Sequence, residues 1–211
     1  MSGLSKSPRQ VKLVPLGLGI AMVFKRLAAG LLALAAAPVF VSGAKAEGPW
    51  SATLYAGPSS TKFVTQILGG DFEVNGGMVG LAVDRGLFKL GSGISFAAEA
   101  QVTQFFGTYS YGTGAIGVGF RFDEFPWSDS VRTTFAIYTG PSYAPNAVII
   151  KDPVPHQDPK FLNFVSVEAG VGLYRKTDVV LRIYHRSGAW GLYSNTADVG
   201  TMIGIGLRRR F

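Results

Sequence analysis

The chain of 211 residues has no cysteine, which excludes a disulfide scaffold and any thiolate-based site. Histidine is nearly as scarce, with two in the whole sequence, and one of them, His156, sits in the proline-rich run Pro153 to Pro159, where a solvated loop residue is expected. Helix signals are few. The one marked apolar run, near the N-terminus, is too short to cross a bilayer comfortably as a helix, for which about 20 residues are needed. The apparent excess of basic charge, 20 Lys and Arg against 13 Asp and Glu, also dissolves on inspection. Lys6, Arg9, Lys12, Lys25, Arg26 and Lys45 all precede residue 47 and no acid does, so the remainder carries 14 against 13. A nearly neutral chain offers no electrostatic footprint for nucleic acid, which is not expected as a partner.

The N-terminal stretch is Leu27 to Val41, preceded by Lys25-Arg26 and followed by the small-residue pattern Ala44-Lys45-Ala46. This is the layout of a secretory signal cut before Glu47, with residues 1–46 as leader and 47–211 as the mature chain. Met22 would start a signal of ordinary length, so residues 1–21 are read as an over-long start.

What the mature chain has in quantity is alternation. Eight segments place apolar residues at every second position. They are marked by Trp50, Ala52, Leu54 and Ala56; Val79, Leu81 and Val83; Ile94, Phe96, Ala98, Ala100 and Val102; Ile116, Val118, Phe120 and Phe122; Val131, Thr133, Phe135 and Ile137; Val165, Val167, Ala169, Val171 and Leu173; Val179, Leu181 and Ile183; and Thr201, Ile203, Ile205 and Leu207. Residues two apart share a face of a strand. The opposite faces carry Glu99 and Gln101, Gly117, Gly119 and Arg121, Ser166 and Glu168, and Arg208 and Arg210. Apolar outside with glycine and charge inside is the pattern of a closed transmembrane barrel, and it inverts that of a soluble lipocalin-like barrel. The spacing therefore predicts an all-β fold: an eight-stranded antiparallel transmembrane β-barrel of the bacterial outer membrane. Asp84-Arg85-Gly86 and Arg175 to Asp178 read as tight turns at the periplasmic end, joined there by Asp123 to Ser130. Gly57 to Asp71, Gly107 to Tyr111, Ala144 to Lys160 and Gly188 to Asp198 read as external loops. Glu99, Arg121 and Glu168 are expected to pair inside the lumen, too narrow in such a barrel for an open channel. Trp50, Trp127 and Trp190 are expected as interfacial anchors.

The seventh segment ends unusually. Val179, Leu181 and Ile183 are followed on the same face by His185 and Ser187, so an apolar wall ends in an imidazole and a hydroxyl at its external rim. The two lie about 6.5 Å apart along the strand, near enough for histidine to take the serine proton. The alkoxide would then attack an acyl ester, with the backbone N–H groups of Gly188 and Ala189 as candidate oxyanion donors. No metal or other cofactor is needed for this scheme, and no liganding cluster is visible in the sequence.

Arg182-Ile183-Tyr184-His185-Arg186-Ser187-Gly188, with a closing strand that ends on Phe211, resembles the C-terminal signature of the lipid A 3-O-deacylases (PagL) and their acyloxyacyl-hydrolase-like relatives. The resemblance covers roughly the last thirty residues. It implies an outer-membrane barrel whose His-x-Ser pair removes an ester-linked acyl chain from lipid A, with lipopolysaccharide as partner and homodimer formation left open. The family's serine is normally followed by an asparagine, and a glutamate later in the chain orients the histidine. Here Gly188 stands at the first position and Val199 at the spacing of the second. Asp198, one residue away, is the candidate orienting acid. On a regular strand it would point into the lumen, and a loop or bulge would be needed to bring it round. A non-catalytic small barrel with a structural or adhesive role is the alternative reading.

Overall fold

A computed structural model describes residues 48–60, 62, 64–107, 110–145, 160–189, 191–194 and 200–211. Trp190, Asp198, Val199 and His156, and the leader with its cleavage pattern, lie outside the described residues. Eight strands follow one another in chain order: β1 (Trp50–Ser60), β2 (Gly76–Gly91), β3 (Ile94–Gly107), β4 (Tyr111–Phe122), β5 (Thr133–Tyr143), β6 (Phe161–Tyr174), β7 (Thr177–Ser187) and β8 (Gly200–Arg210). One short helix, α1 (Val64–Leu68), lies between β1 and β2. Each strand pairs antiparallel with its neighbours, and β8 pairs with β1 from Ser51↔Arg210 to Ser60↔Thr201, closing the barrel. Closure leaves no sheet edge, so the backbone of each strand pairs on both sides with neighbouring strands and needs no water for its ladder. The strands run from 11 to 16 residues, enough to cross a hydrocarbon layer when tilted.

The two faces separate as the alternation predicts. Outward residues such as Leu54, Ile116, Leu181, Ile205 and Leu207 are exposed aliphatics, Ile205 at 66%. Inward residues are buried and largely polar. At the lumen centre Arg182 donates to Glu99 at 2.6 and 2.8 Å and to Gln101 at 2.9 Å, and it also pairs with Glu168, which Arg208 meets from the other side. Arg121 pairs with Asp84, and Asp178 takes Arg132 at 2.7 Å and Arg210 at 2.6 Å. Tyr55 donates to Gln101 at 2.8 Å beneath the Arg182 guanidinium, 4.9 Å from its ring. The lumen is thus a packed polar core. Glycine lets it close: a Cβ on Gly119 would stand 1.8 Å from the Ile137 carbonyl oxygen on β5.

Four expectations about element ends are corrected. Asp84-Arg85-Gly86 is no turn: β2 continues to Gly91, and the reversal is Ser92-Gly93, where Gly93 adopts φ +71°. The physical reason is Asp84 itself, whose carboxylate is held inside by Arg121, so the strand passes through it. Gly57 to Ser60 extend β1 and do not belong to the loop, which also contains α1. Val131 precedes β5, which begins at Thr133 and runs on to Tyr143. The reversal between β6 and β7 is Arg175-Lys176, with Arg175 at φ +35°. Both chain ends of the barrel lie at the end carrying the two-residue reversals, and β7 therefore runs towards the end with the longer connections. Trp50 and Trp127 are about half exposed there, Trp50 with the Arg85 guanidinium 5.1 Å from its ring.

A candidate hydrolytic site on the outer wall

His185 and Ser187 occupy the last two outward positions of β7 and are half-buried. The register around them gives a boundary in the wall. Ile203, Ile183, Val167 and Ile137 align across β8, β7, β6 and β5 as one aliphatic row. The rows below are Ile205, Leu181, Ala169 and Phe135, then Leu207, Val179, Val171 and Thr133. The row above changes character. It contains Ser60, Thr201 and His185, then Val165 and Thr139. Ser187 lies one step higher opposite Asn163, whose side-chain Oδ1 is 3.2 Å from Thr139 Oγ1. The polar groups form a patch where the aliphatic rows end, at the end of the wall that carries the longer connections.

Thr201 is the group the sequence did not single out. Its Oγ1 lies 3.1 Å from His185 Nδ1, and its side chain is fully buried although it stands on the outward face of β8. With the Nδ1 proton directed at Thr201, the lone pair is on Nε2, the tautomer that proton abstraction from a hydroxyl requires. Asn163 was equally invisible, because a cross-strand neighbour 24 residues away from Ser187 in sequence has no spacing signature. Cross-strand partners bring their Cβ atoms within about 4.5–5.5 Å.

After Ser187 the chain folds into a compact turn. Tyr193 N–H donates to the Gly188 carbonyl at 3.0 Å, Leu192 N–H donates to the Ala189 carbonyl at 3.1 Å, and Ala189 takes φ +50°. The Gly188 carbonyl faces into this turn, so the N–H of the same trans peptide, that of Ala189, points away from it. Of the expected site residues, the structure brings His185, Ser187, Gly188 and Ala189 into one corner of the wall and adds Thr201 and Asn163. Asp198 lies outside the described residues. Among the described residues no three His, Asp or Glu side chains come together as a metal site.

The fold is that of an eight-stranded antiparallel closed barrel of the outer-membrane kind. The crystal structure of the outer membrane enzyme PagL is similar to it, with a TM-score of 0.55 at 14% identity over 76% of this chain and 99% of that one. The outer membrane protein Ail from Yersinia pestis, solved in a phospholipid bilayer nanodisc, is a more distant likeness, with a TM-score of 0.43 at 11% identity over 78% of this chain and all of that one. At these identities the likeness is one of fold. No family model and no curated protein matches the sequence.

Proposed function

We propose that the chain is an outer-membrane serine esterase that removes an ester-linked acyl chain from lipid A, with Ser187 as nucleophile and His185 as base. The observation that carries this reading is the position of the pair. A serine and an imidazole stand on an outward face where three mainly apolar rows give way to a mainly polar one. An ester joining a sugar to an acyl chain rests at that boundary in an outer leaflet, so sugar and hydrocarbon each meet matching surface. Similarity in fold to a structure titled an outer membrane enzyme is compatible with this reading.

The steps follow from the groups present. His185 Nε2 takes the Ser187 hydroxyl proton as Oγ attacks the ester carbonyl, forming the tetrahedral oxyanion. The Ala189 N–H and the amide of Asn163, the cross-strand partner of Ser187, are candidates to hold that charge. Collapse breaks the bond to the sugar oxygen, which leaves with the proton from His185. Water, deprotonated by His185, then attacks the acyl-serine and releases the fatty acid. Thr201 keeps the imidazole in the required tautomer and orientation. As a positioning residue it acts through His185: Thr201→Val is expected to lower kcat about tenfold, the worth of one such hydrogen bond, with KM unchanged. Kinetics on lipid A in mixed micelles measures this split.

A fluorophosphonate, which traps an activated serine, tests the reading directly. Peptide mass analysis of the folded barrel should find the label on Ser187, and His185→Ala should lose it. A folded barrel that takes no label at Ser187 would favour the non-catalytic structural or adhesive barrel.

A further inference from the structure

Arg186 stands between His185 and Ser187 in sequence but points through the wall into the lumen, where it is wholly buried. Its Nε donates to Ser142 Oγ at 2.9 Å, and that hydroxyl donates to the Leu162 carbonyl at 2.9 Å. Both terminal nitrogens, Nη1 and Nη2, have no hydrogen-bond partner among the described residues. This sets Arg186 apart. The other inward arginines, 121, 132, 182, 208 and 210, all reach one of the carboxylates Asp84, Glu99, Glu168 and Asp178.

The register explains the isolation. Going outward along β7, the inward positions are Arg182, Tyr184 and Arg186. The Tyr184 ring packs against Phe105 and Phe164 at centroid distances of 6.3 and 6.1 Å, and Phe105 packs against Tyr111 at 4.6 Å. These buried rings floor the external end of the lumen and stand between Arg186 and the carboxylates beneath. A guanidinium does not give up its proton, and burying its charge with the donors unanswered is strongly unfavourable. The described residues therefore set, above an aromatic floor, a two-pronged cationic donor that meets no carboxylate among them.

We infer that the Arg186 fork is a binding site for a phosphate-class oxyanion at the external end of the lumen. The fork geometry of Nη1 and Nη2 suits two oxygens of one such anion. In the membrane orientation proposed above, this end lies level with the headgroups of the outer leaflet, so the anion is either free phosphate or the phosphate monoester of a headgroup. The inference is independent of the esterase chemistry, because Arg186 faces the opposite side of the wall from His185 and Ser187.

The test is thermal unfolding of the full mature barrel in an uncharged detergent, followed by its heat-dependent gel migration. Inorganic phosphate and glucose 1-phosphate are titrated separately at constant ionic strength, with chloride as the balancing anion. The wild-type midpoint is expected to rise saturably, and Arg186→Gln to abolish the rise. A lower half-saturating concentration for glucose 1-phosphate would assign the site to a headgroup, and a lower one for inorganic phosphate to the free anion. Should Arg186→Gln fail to fold, Arg186→Lys keeps the charge without the fork, and its half-saturating concentration is expected to increase at least tenfold. Ser187→Ala should respond as wild type does, so that loss of esterase activity and loss of the anion site are read apart. Equal responses in wild type and Arg186→Gln, or none in either, would overturn the site. So would an unresponsive wild type that Asp152→Asn/Asp158→Asn destabilises, since the chain would then be supplying its own anion.

Discussion

Alanine at Ser187 is expected to lower lipid A ester hydrolysis by at least about 10³-fold while leaving barrel stability within about 0.5 kcal/mol of wild type. The two halves of this expectation have separate causes. Ser187 is at the last position of β7, half-buried and outward, so removing one hydroxyl opens no cavity in the lumen and breaks none of its ion pairs. The hydroxyl is nonetheless the bond-forming atom of the proposed reaction; Thr201 lies fully buried against the Nδ1 side of His185 and Asn163 carries no hydroxyl, so neither substitutes for it. His185→Ala should cost about 10²–10⁴-fold, and the double variant little more than the worse single, because base and nucleophile act as one unit. Turnover on lipid A micelles and unfolding in urea measure the two halves independently.

The second large effect is on stability. Glu168→Gln removes the charge that Arg182 and Arg208 share, and all three side chains are at most 1% exposed. Breaking a buried ion pair from one side typically costs 3–5 kcal/mol, because the partner's charge stays behind without compensation. Here one arginine still has Glu99, at 2.6 Å from Arg182, whereas among the described residues Arg208 retains hydroxyl partners alone, Thr53 at 3.2 Å and Thr134 at 3.3 Å. The loss is therefore expected to be about 3 kcal/mol or more and to fall mainly on Arg208. If so, Glu168→Gln combined with Arg208→Met should be less destabilising than Glu168→Gln alone. Urea unfolding of the barrel in lipid vesicles gives the comparison, and an additive double variant would contradict the assignment.

Much of this architecture can be read from a period of two. Wherever a strand has aliphatics on one face and glycine or charge on the other, as in β3, β4, β6, β7 and β8, the sequence determines which side faces out. The reading failed where a local cue imitated a turn. Asp84-Arg85-Gly86 has turn composition, and only the position of Arg121, 37 residues later and across the lumen, reveals why an aspartate sits mid-strand. The site divides the same way. His185 and Ser187 were legible because they interrupt an apolar face at consecutive outward positions. Thr201 and Asn163 owe their places to register, which pairs β8 and β6 with β7, and single residues in those strands do not announce their partners. Arg186 could be assigned inward from alternation alone, but its lack of a carboxylate appears only when the lumen is laid out in layers.

The measurement closest to the central claim is the mass spectrum of lipid A from outer membranes that contain the wild-type chain, set beside one from membranes with Ser187→Ala. The account predicts that only the wild type shows lipid A lighter by one acyl chain. Identical spectra, with both proteins shown to be folded and inserted, would contradict it.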